Sequence, residues 1–247
     1  MRFGFRFRPV AFAAALVVAI IGILLGNWQQ GRAAYKTGLQ ARQLARAAEP
    51  PLELTPSTRI GPDDEFRTVR LQGEFVAGWP VFLANRPMTT RSGAQSGFYL
   101  AMPFKIAGSD THVLVLRGWL PRPAGAEYGK LPAFATPAGP LLLKGRIVAS
   151  AGKVMELGEG PPLAPGALVQ NLMPEALAAA SGLKLQPFLV QQTQAAGRRD
   201  ALGRDWPVPS AGIDKHRGYA FQWYALAALA LIFYVITGFR RGSRTNR

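Results

Sequence analysis

Two histidines and no cysteine bound the chemistry open to this chain of 247 residues. Without thiols there is no disulfide framework, thiolate zinc site, iron–sulfur cluster or cysteine nucleophile, and two imidazoles do not make a multi-histidine metal centre. His112 follows Asp110-Thr111 and precedes an apolar run, where a solvated loop position is the plain reading. His216 lies in Asp214-Lys215-His216-Arg217-Gly218-Tyr219, just before a long uncharged segment. If a helix begins there, His216, Ala220 and Trp223 fall on one face at i, i+4 and i+7. Neutral imidazole is a good axial ligand for haem iron, and Lys215 and Arg217 flank it as candidate partners for propionates. A histidine that only anchors a helix at an interface fits the same spacing.

A second stripe is Trp28, Arg32, Tyr35 and Lys36, spaced as neighbours on one helical face. Arg32 and Lys36 suit lipid phosphates or the anionic edge of a cofactor, and lipid-facing snorkelling explains them equally well. The catalytic inventory is otherwise thin. No phosphate-binding glycine loop occurs, a serine triad would have to draw its base from His112 or His216, and no carboxylate pair stands in a recognisable catalytic setting. The chain therefore reads as a non-enzyme.

The elements that must hold these residues follow from composition. Hydrophobic residues make up 49% and charged residues 17%, too apolar for a disordered chain. The net charge of +15 comes from 29 Lys+Arg against 14 Asp+Glu. Much of it sits in the tails, at Arg2, Arg6 and Arg8 and at Arg240, Arg241, Arg244 and Arg247. No basic block with interleaved aromatics appears, so no nucleic-acid partner is expected.

Residues 10–26 and 219–239 carry no charge, and Trp28, Tyr219, Trp223, Tyr224 and Tyr234 lie towards their ends as interfacial aromatics do. The first run exceeds the apolar region of a cleaved signal peptide and lacks a small-residue cleavage site after it, so it reads as an anchor. This gives a cytoplasmic tail at 1–9, a span at 10–26, a domain at 27–218, a span at 219–239 and a second tail at 240–247. Basic residues also flank the spans on the domain side, at Arg32, Lys36, Arg42, Arg46, Arg198, Arg199, Arg204, Lys215 and Arg217. The short tails weigh more than a long translocated region, which puts both termini in the cytoplasm. Small residues at Ala15, Ala19, Gly22 and Gly26, and at Ala220 and Ala227, mark faces on which the spans could pack, or a chance feature of alanine-rich helices.

Helical character continues over 27–48 and ends at Pro50-Pro51. Strands are predicted over 66–76, 81–85, 98–104, 113–120, 141–150, 167–172 and 187–193. One short helix is predicted over 174–181, opened by Pro174 and closed by Gly182. The fold class is thus an α+β membrane protein, two transmembrane helices flanking a mostly antiparallel β extracytoplasmic domain.

Four motifs in register carry a resemblance. Leu25-Gly26-x-Trp28-Gln29-x-x-Arg32-x-x-x-Lys36 and His216-x-x-Tyr219-Ala220-x-Gln222-Trp223-Tyr224 resemble the terminal signatures of the surfeit locus protein one family. Leu116-Arg117-Gly118-Trp119-Leu120-Pro121 and Arg204-Asp205-Trp206-Pro207 are similar to two motifs between them. A departure is Asp214-Lys215 before His216, where asparagines are commoner in the family. The resemblance covers essentially the whole chain. It implies an assembly factor for a haem–copper terminal oxidase, cytochrome c oxidase, acting as a chaperone that binds haem a and assists its insertion into the catalytic subunit. It further implies His216 as the ligand to haem iron, and the candidates read from spacing, Trp223, Arg217, Lys215, Arg32 and Lys36, then stand around the cofactor. The oxidase catalytic subunit, haem a synthase and the lipid bilayer are the implied partners, and the bacterial inner membrane, with a periplasmic domain, is the implied location. The alternative is a protein scaffold that stabilises an oxidase assembly intermediate without touching haem.

Overall fold

A computed structural model describes residues 4–90, 93–123, 125, 130–156, 160–197, 200–207 and 212–240. Arg2, Arg198, Arg199 and the basic residues beyond Arg240 lie outside the described residues, as do parts of the loops at 121–140 and 158–166. In chain order the elements are β1 (Gly4–Phe5), α1 (Pro9–Ala48), β2 (Leu52–Glu53), β3 (Thr68–Phe75), β4 (Val81–Leu83), β5 (Met88–Thr90), β6 (Gly93–Gln95), β7 (Gly97–Ile106), β8 (Thr111–Pro121), β9 (Leu141–Val148), β10 (Leu168–Val169), α2 (Pro174–Ser181), β11 (Lys184–Gln192), α3 (Ile213–Gly238) and β12 (Phe239–Arg240). They form two compact units, Met1–Ala41 with Val208–Arg247, and Arg42–Pro207.

The second unit is mostly sheet. β3 pairs antiparallel with both β7 and β9, β7 with β8, and β11 with β9, while β11 runs parallel to β8. The pairings β3–β7–β8–β11–β9–β3 therefore close on themselves, giving a small five-stranded barrel. β7 makes the closure possible by its length. Its first half pairs with β4 and its second half with β3, along the same edge. β10 and β2 extend the sheet by parallel pairings, and β5 and β6 form a separate hairpin.

β8 explains the apolar tract Val113-Leu114-Val115-Leu116. Val113 and Val115 join one core cluster with Leu71, Met102, Phe104 and Val190, whereas Leu114 and Leu116 join a second with Leu83, Leu177 and Leu189. A strand covered on both faces has no position left for a polar alternation. The second cluster is closed by α2, whose Leu177 is fully buried. Pro174 opens that helix, and Gly182, at φ 71°, ends it in the left-handed conformation, with its N–H donating to the Ala178 carbonyl at 2.9 Å.

His112 corrects an expectation. It is not a solvated loop residue but the second residue of β8, opposite Lys105 of β7 and Leu185 of β11, and only 3% exposed. Desolvation holds its pKa below the usual 6.5. The strand starts two residues earlier than the apolar pattern suggested, because pairing on both sides recruits Thr111 and His112.

The first unit is a helix pair. α1 joins the predicted apolar run and its helical continuation into one 40-residue helix, and α3 begins at Ile213, ahead of the uncharged run. Both are long and apolar enough to cross a membrane. β1 and β12 pair at one end, where Phe5 lies edge-on to Tyr234 and Phe239.

Candidate functional site

The seam between α1 and α3 is made by small residues. Ala19, Gly22, Gly26 and Ala33 are the buried positions of α1; Ala220, Ala227, Tyr234 and Gly238 are those of α3. A Cβ added at Gly22 would sit 2.9 Å from both Ala227 Cβ and the Trp223 carbonyl, and one added at Gly26 would run into the Tyr224 ring. The small faces read from the sequence thus pack on each other rather than arising by chance.

Polar side chains stitch the same seam. The Tyr224 hydroxyl donates to Asn27 Oδ1 at 2.8 Å, and His216 Nδ1 lies 2.7 Å from Gln29 Oε1. His216 is in the first turn of α3, its backbone N–H reaching the Gly212 carbonyl at 3.3 Å. Its imidazole is half-buried, and among the described residues no hydrogen bond engages Nε2.

Three of the six candidate residues lie on the packed side of the pair and three do not. Lys36 is half-buried, with its ammonium beside Gly212 at the start of α3. Trp223 is half-buried one face along from His216, at the head of an apolar groove of about 510 Å³ lined also by Ile21, Leu226, Ala230 and Phe233. Lys215, Arg217 and Arg32 are exposed. Arg217 makes only a loose ion pair with Asp214 at 3.9 Å. The stripe of Trp28, Arg32, Tyr35 and Lys36 is divided, since Trp28 and Tyr35 point away from the seam with Arg32. Gln29 belongs to the first terminal motif, but nothing in its local sequence connects it to a histidine 187 positions away.

Those donors fit an iron porphyrin held at the helix seam. A half-buried imidazole offers one nitrogen, an apolar groove starts on its face, and exposed cations flank it. They do not form a cage for a bare metal ion, and no group of three or more His, Asp or Glu suited to one exists among the described residues.

The two internal motifs serve the barrel. Arg117 is 0% exposed, its Nη2 donating to the Ala135 carbonyl at 2.9 Å and its Nη1 to Thr136 Oγ1 at 3.2 Å, with the Phe75 ring 4.5 Å away. Burial lowers its pKa to about 10. Gly118 has no room for a Cβ, which would come within 2.6 Å of Leu202 and 2.8 Å of the Gly203 carbonyl. Trp119 exchanges backbone hydrogen bonds with Gly203 at 2.7 and 2.9 Å, and its indole donates to the Arg86 carbonyl at 2.7 Å. Arg204 pairs with the buried Asp200, and the Trp206 indole donates to the Gln192 carbonyl at 2.9 Å while meeting Tyr99 edge-on. Arg-Gly-Trp and Arg-Asp-Trp-Pro are therefore two halves of one clasp that lays residues 200–206 on the barrel.

A small closed β-barrel, bracketed in sequence by two long apolar helices whose seam presents an imidazole, is the class of protein these observations define. The family comparison gives the rest: the family model matches residues 16–228, and the chain belongs to the SURF1 family. It is 26% identical over 226 residues to the SURF1-like protein of Rickettsia bellii, covering 90% of this chain and 88% of that one. Identity is 28% over 115 residues to the cytochrome oxidase assembly protein SHY1 of Saccharomyces cerevisiae, over 46% of this chain and 28% of SHY1. It is 27% over 118 residues to Surfeit locus protein 1 of Homo sapiens, over 43% of this chain and 39% of the human protein.

Proposed function

We propose that this protein is a non-catalytic, membrane-anchored assembly factor for cytochrome c oxidase that holds haem a through His216 and passes it to the oxidase catalytic subunit. Family membership across residues 16–228 and similarity to the yeast cytochrome oxidase assembly protein SHY1 support the assembly part. The observation that carries the haem part is the His216 imidazole, tied at Nδ1 to α1 and without a hydrogen bond at Nε2 among the described residues.

The anchoring part rests on where apolar surface lies. Only 17% of the most apolar stretch of each long helix is buried, unlike the core helix of a soluble protein. Val17, Ile20, Ile23, Leu24, Phe221, Ile232 and Phe233 stand exposed instead, a surface that water does not tolerate and lipid does. Both termini are cytoplasmic in this reading, and residues 27–218 are periplasmic at the bacterial inner membrane, with spans at 10–26 and 219–239.

Haem a supplies an iron with axial positions, an apolar macrocycle and propionates, and is cargo here rather than a resident cofactor. His216 offers Nε2 to the iron. Trp223 and the groove below it exclude water from an apolar face. Lys215, Arg217, Arg32 and Lys36 neutralise propionates or lipid phosphates at the rim. A single protein ligand on a half-open seam suits a carrier that must release its cargo to the catalytic subunit. Haem a synthase is the natural source. The test is to purify the full chain from cells that make haem a: the wild type should carry the pigment and His216→Ala should lose most of it. Unchanged pigment in the variant would remove the ligand role, and co-purification with oxidase subunits without pigment would favour the protein scaffold.

A further inference from the structure

The bond between the two long helices at His216 has a chemical direction. A neutral imidazole carries one N–H, and a carbonyl oxygen can only accept. With Gln29 Oε1 at 2.7 Å, Nδ1 must be the donor, so the lone pair is left on Nε2. We infer that Gln29 is the positioning residue for His216, fixing the tautomer and the ring plane that present Nε2 to a metal. This deepens the haem reading and rests on it for the identity of the iron, but not for the tautomer.

Gln29 is itself held in place. It follows Gly26 by three residues and precedes Ala33 by four, so it shares their face of α1, which is the face buried on α3. Gly26 leaves room for the Tyr224 ring to press against the helix, and that ring's hydroxyl closes a second bond to Asn27. Two hydrogen bonds, from residues eight apart on α3 to residues two apart on α1, resist sliding and rotation of one helix against the other. The acceptor at Nδ1 is therefore a side-chain amide carried on the packed face of a helix rather than on a loop.

The choice of an amide also has a consequence. Glutamine accepts without charge; a carboxylate at the same place would give the ring more anionic character and favour oxidised iron. An aliphatic residue would leave the ring free to take the other tautomer, in which Nε2 carries the proton and cannot ligate.

The experiment uses the full chain in lipid nanodiscs, labelled with nitrogen-15 histidine, where the only other histidine is the buried His112. In the haem-free wild type, Nε2 of His216 should show the signature of an unprotonated ring nitrogen. Gln29→Leu should move the proton to Nε2 or mix the two forms, while Tyr224→Phe, which removes the neighbouring clamp, should leave the tautomer alone. Loaded with haem a, Gln29→Leu should bind about 10- to 100-fold more weakly, and Gln29→Glu should restore binding with a lower iron midpoint potential. A proton on Nε2 in the wild type, or a tautomer indifferent to Gln29→Leu, overturns the inference. A Gln29-dependent tautomer in a protein that binds no haem a overturns the haem reading alone. Haem a bound through His216 with equal affinity in Gln29→Leu overturns the positioning role alone.

Discussion

Arg117 and His216 both fall in family motifs, and their surroundings assign them opposite roles. Arg117 is wholly buried, and its terminal nitrogens go to Ala135 and Thr136 with aromatic faces around them. His216 is half-buried, with one ring nitrogen tied to Gln29 and the other without a partner among the described residues. Burial marks the group that the fold consumes; an unengaged donor on a fixed ring marks the one left for a ligand. The internal motifs are thus explained by packing and the terminal ones by the helix seam.

The largest effect that could break this contrast is expected at Trp119. Trp119→Ala removes a 5%-exposed indole and its bond to Arg86, and should cost about 3–5 kcal/mol, a fall of roughly 10 °C in the melting of the β unit. Haem binding falling selectively, with melting unchanged, would place function in the barrel motif instead.

Arg117 sharpens the same point through pH. Its folded pKa is lowered to about 10 by burial, below that of the unfolded chain, so the charged form destabilises the fold at every pH below about 10, and this cost fades as pH rises above that value. Arg117→Met should therefore match or exceed the wild-type stability at pH 7, by at most about 3 kcal/mol. That advantage should shrink in denaturant titrations above pH 10. A variant less stable by several kcal/mol at pH 7 would show that the guanidinium's hydrogen bonds outweigh its desolvation.

At the seam, Gly26→Val forces a side chain into the Tyr224 ring. Haem a loading should fall at least about tenfold, as for loss of an outer-shell partner, while the β unit melts as before. The smallest effect is expected at His112, whose depressed folded pKa keeps it neutral. Stability should be complete above pH 6.5 and fall as pH drops below it, by no more than about 1.4 kcal/mol per pH unit. His112→Gln should lack that slope.

Much of this was legible in the sequence, and what was not has physical causes. Seven strands and the helix at Pro174–Ser181 follow from alternation and from proline and glycine punctuation. β2, β5 and β6 escaped because their residues, Leu-Glu, Met-Thr-Thr and Gly-Ala-Gln, sit in no apolar run of the kind that marks the equally short β4 and β10. Closure of the barrel depends on β7 pairing with two partners along one edge and on the parallel β8–β11 pair, which are pairings over long sequence distances that no local pattern encodes. The seam was half visible: small residues announced a packing face, yet only the packed helices bring Gln29 to His216.

Resonance Raman spectroscopy of the full-length protein loaded with haem a addresses the ligand most directly. An iron–imidazole vibration is expected in the wild type, absent in His216→Ala and recovered when free imidazole is added to that variant. The same vibration persisting unchanged in His216→Ala would contradict the account, because some group other than His216 would then be holding the iron.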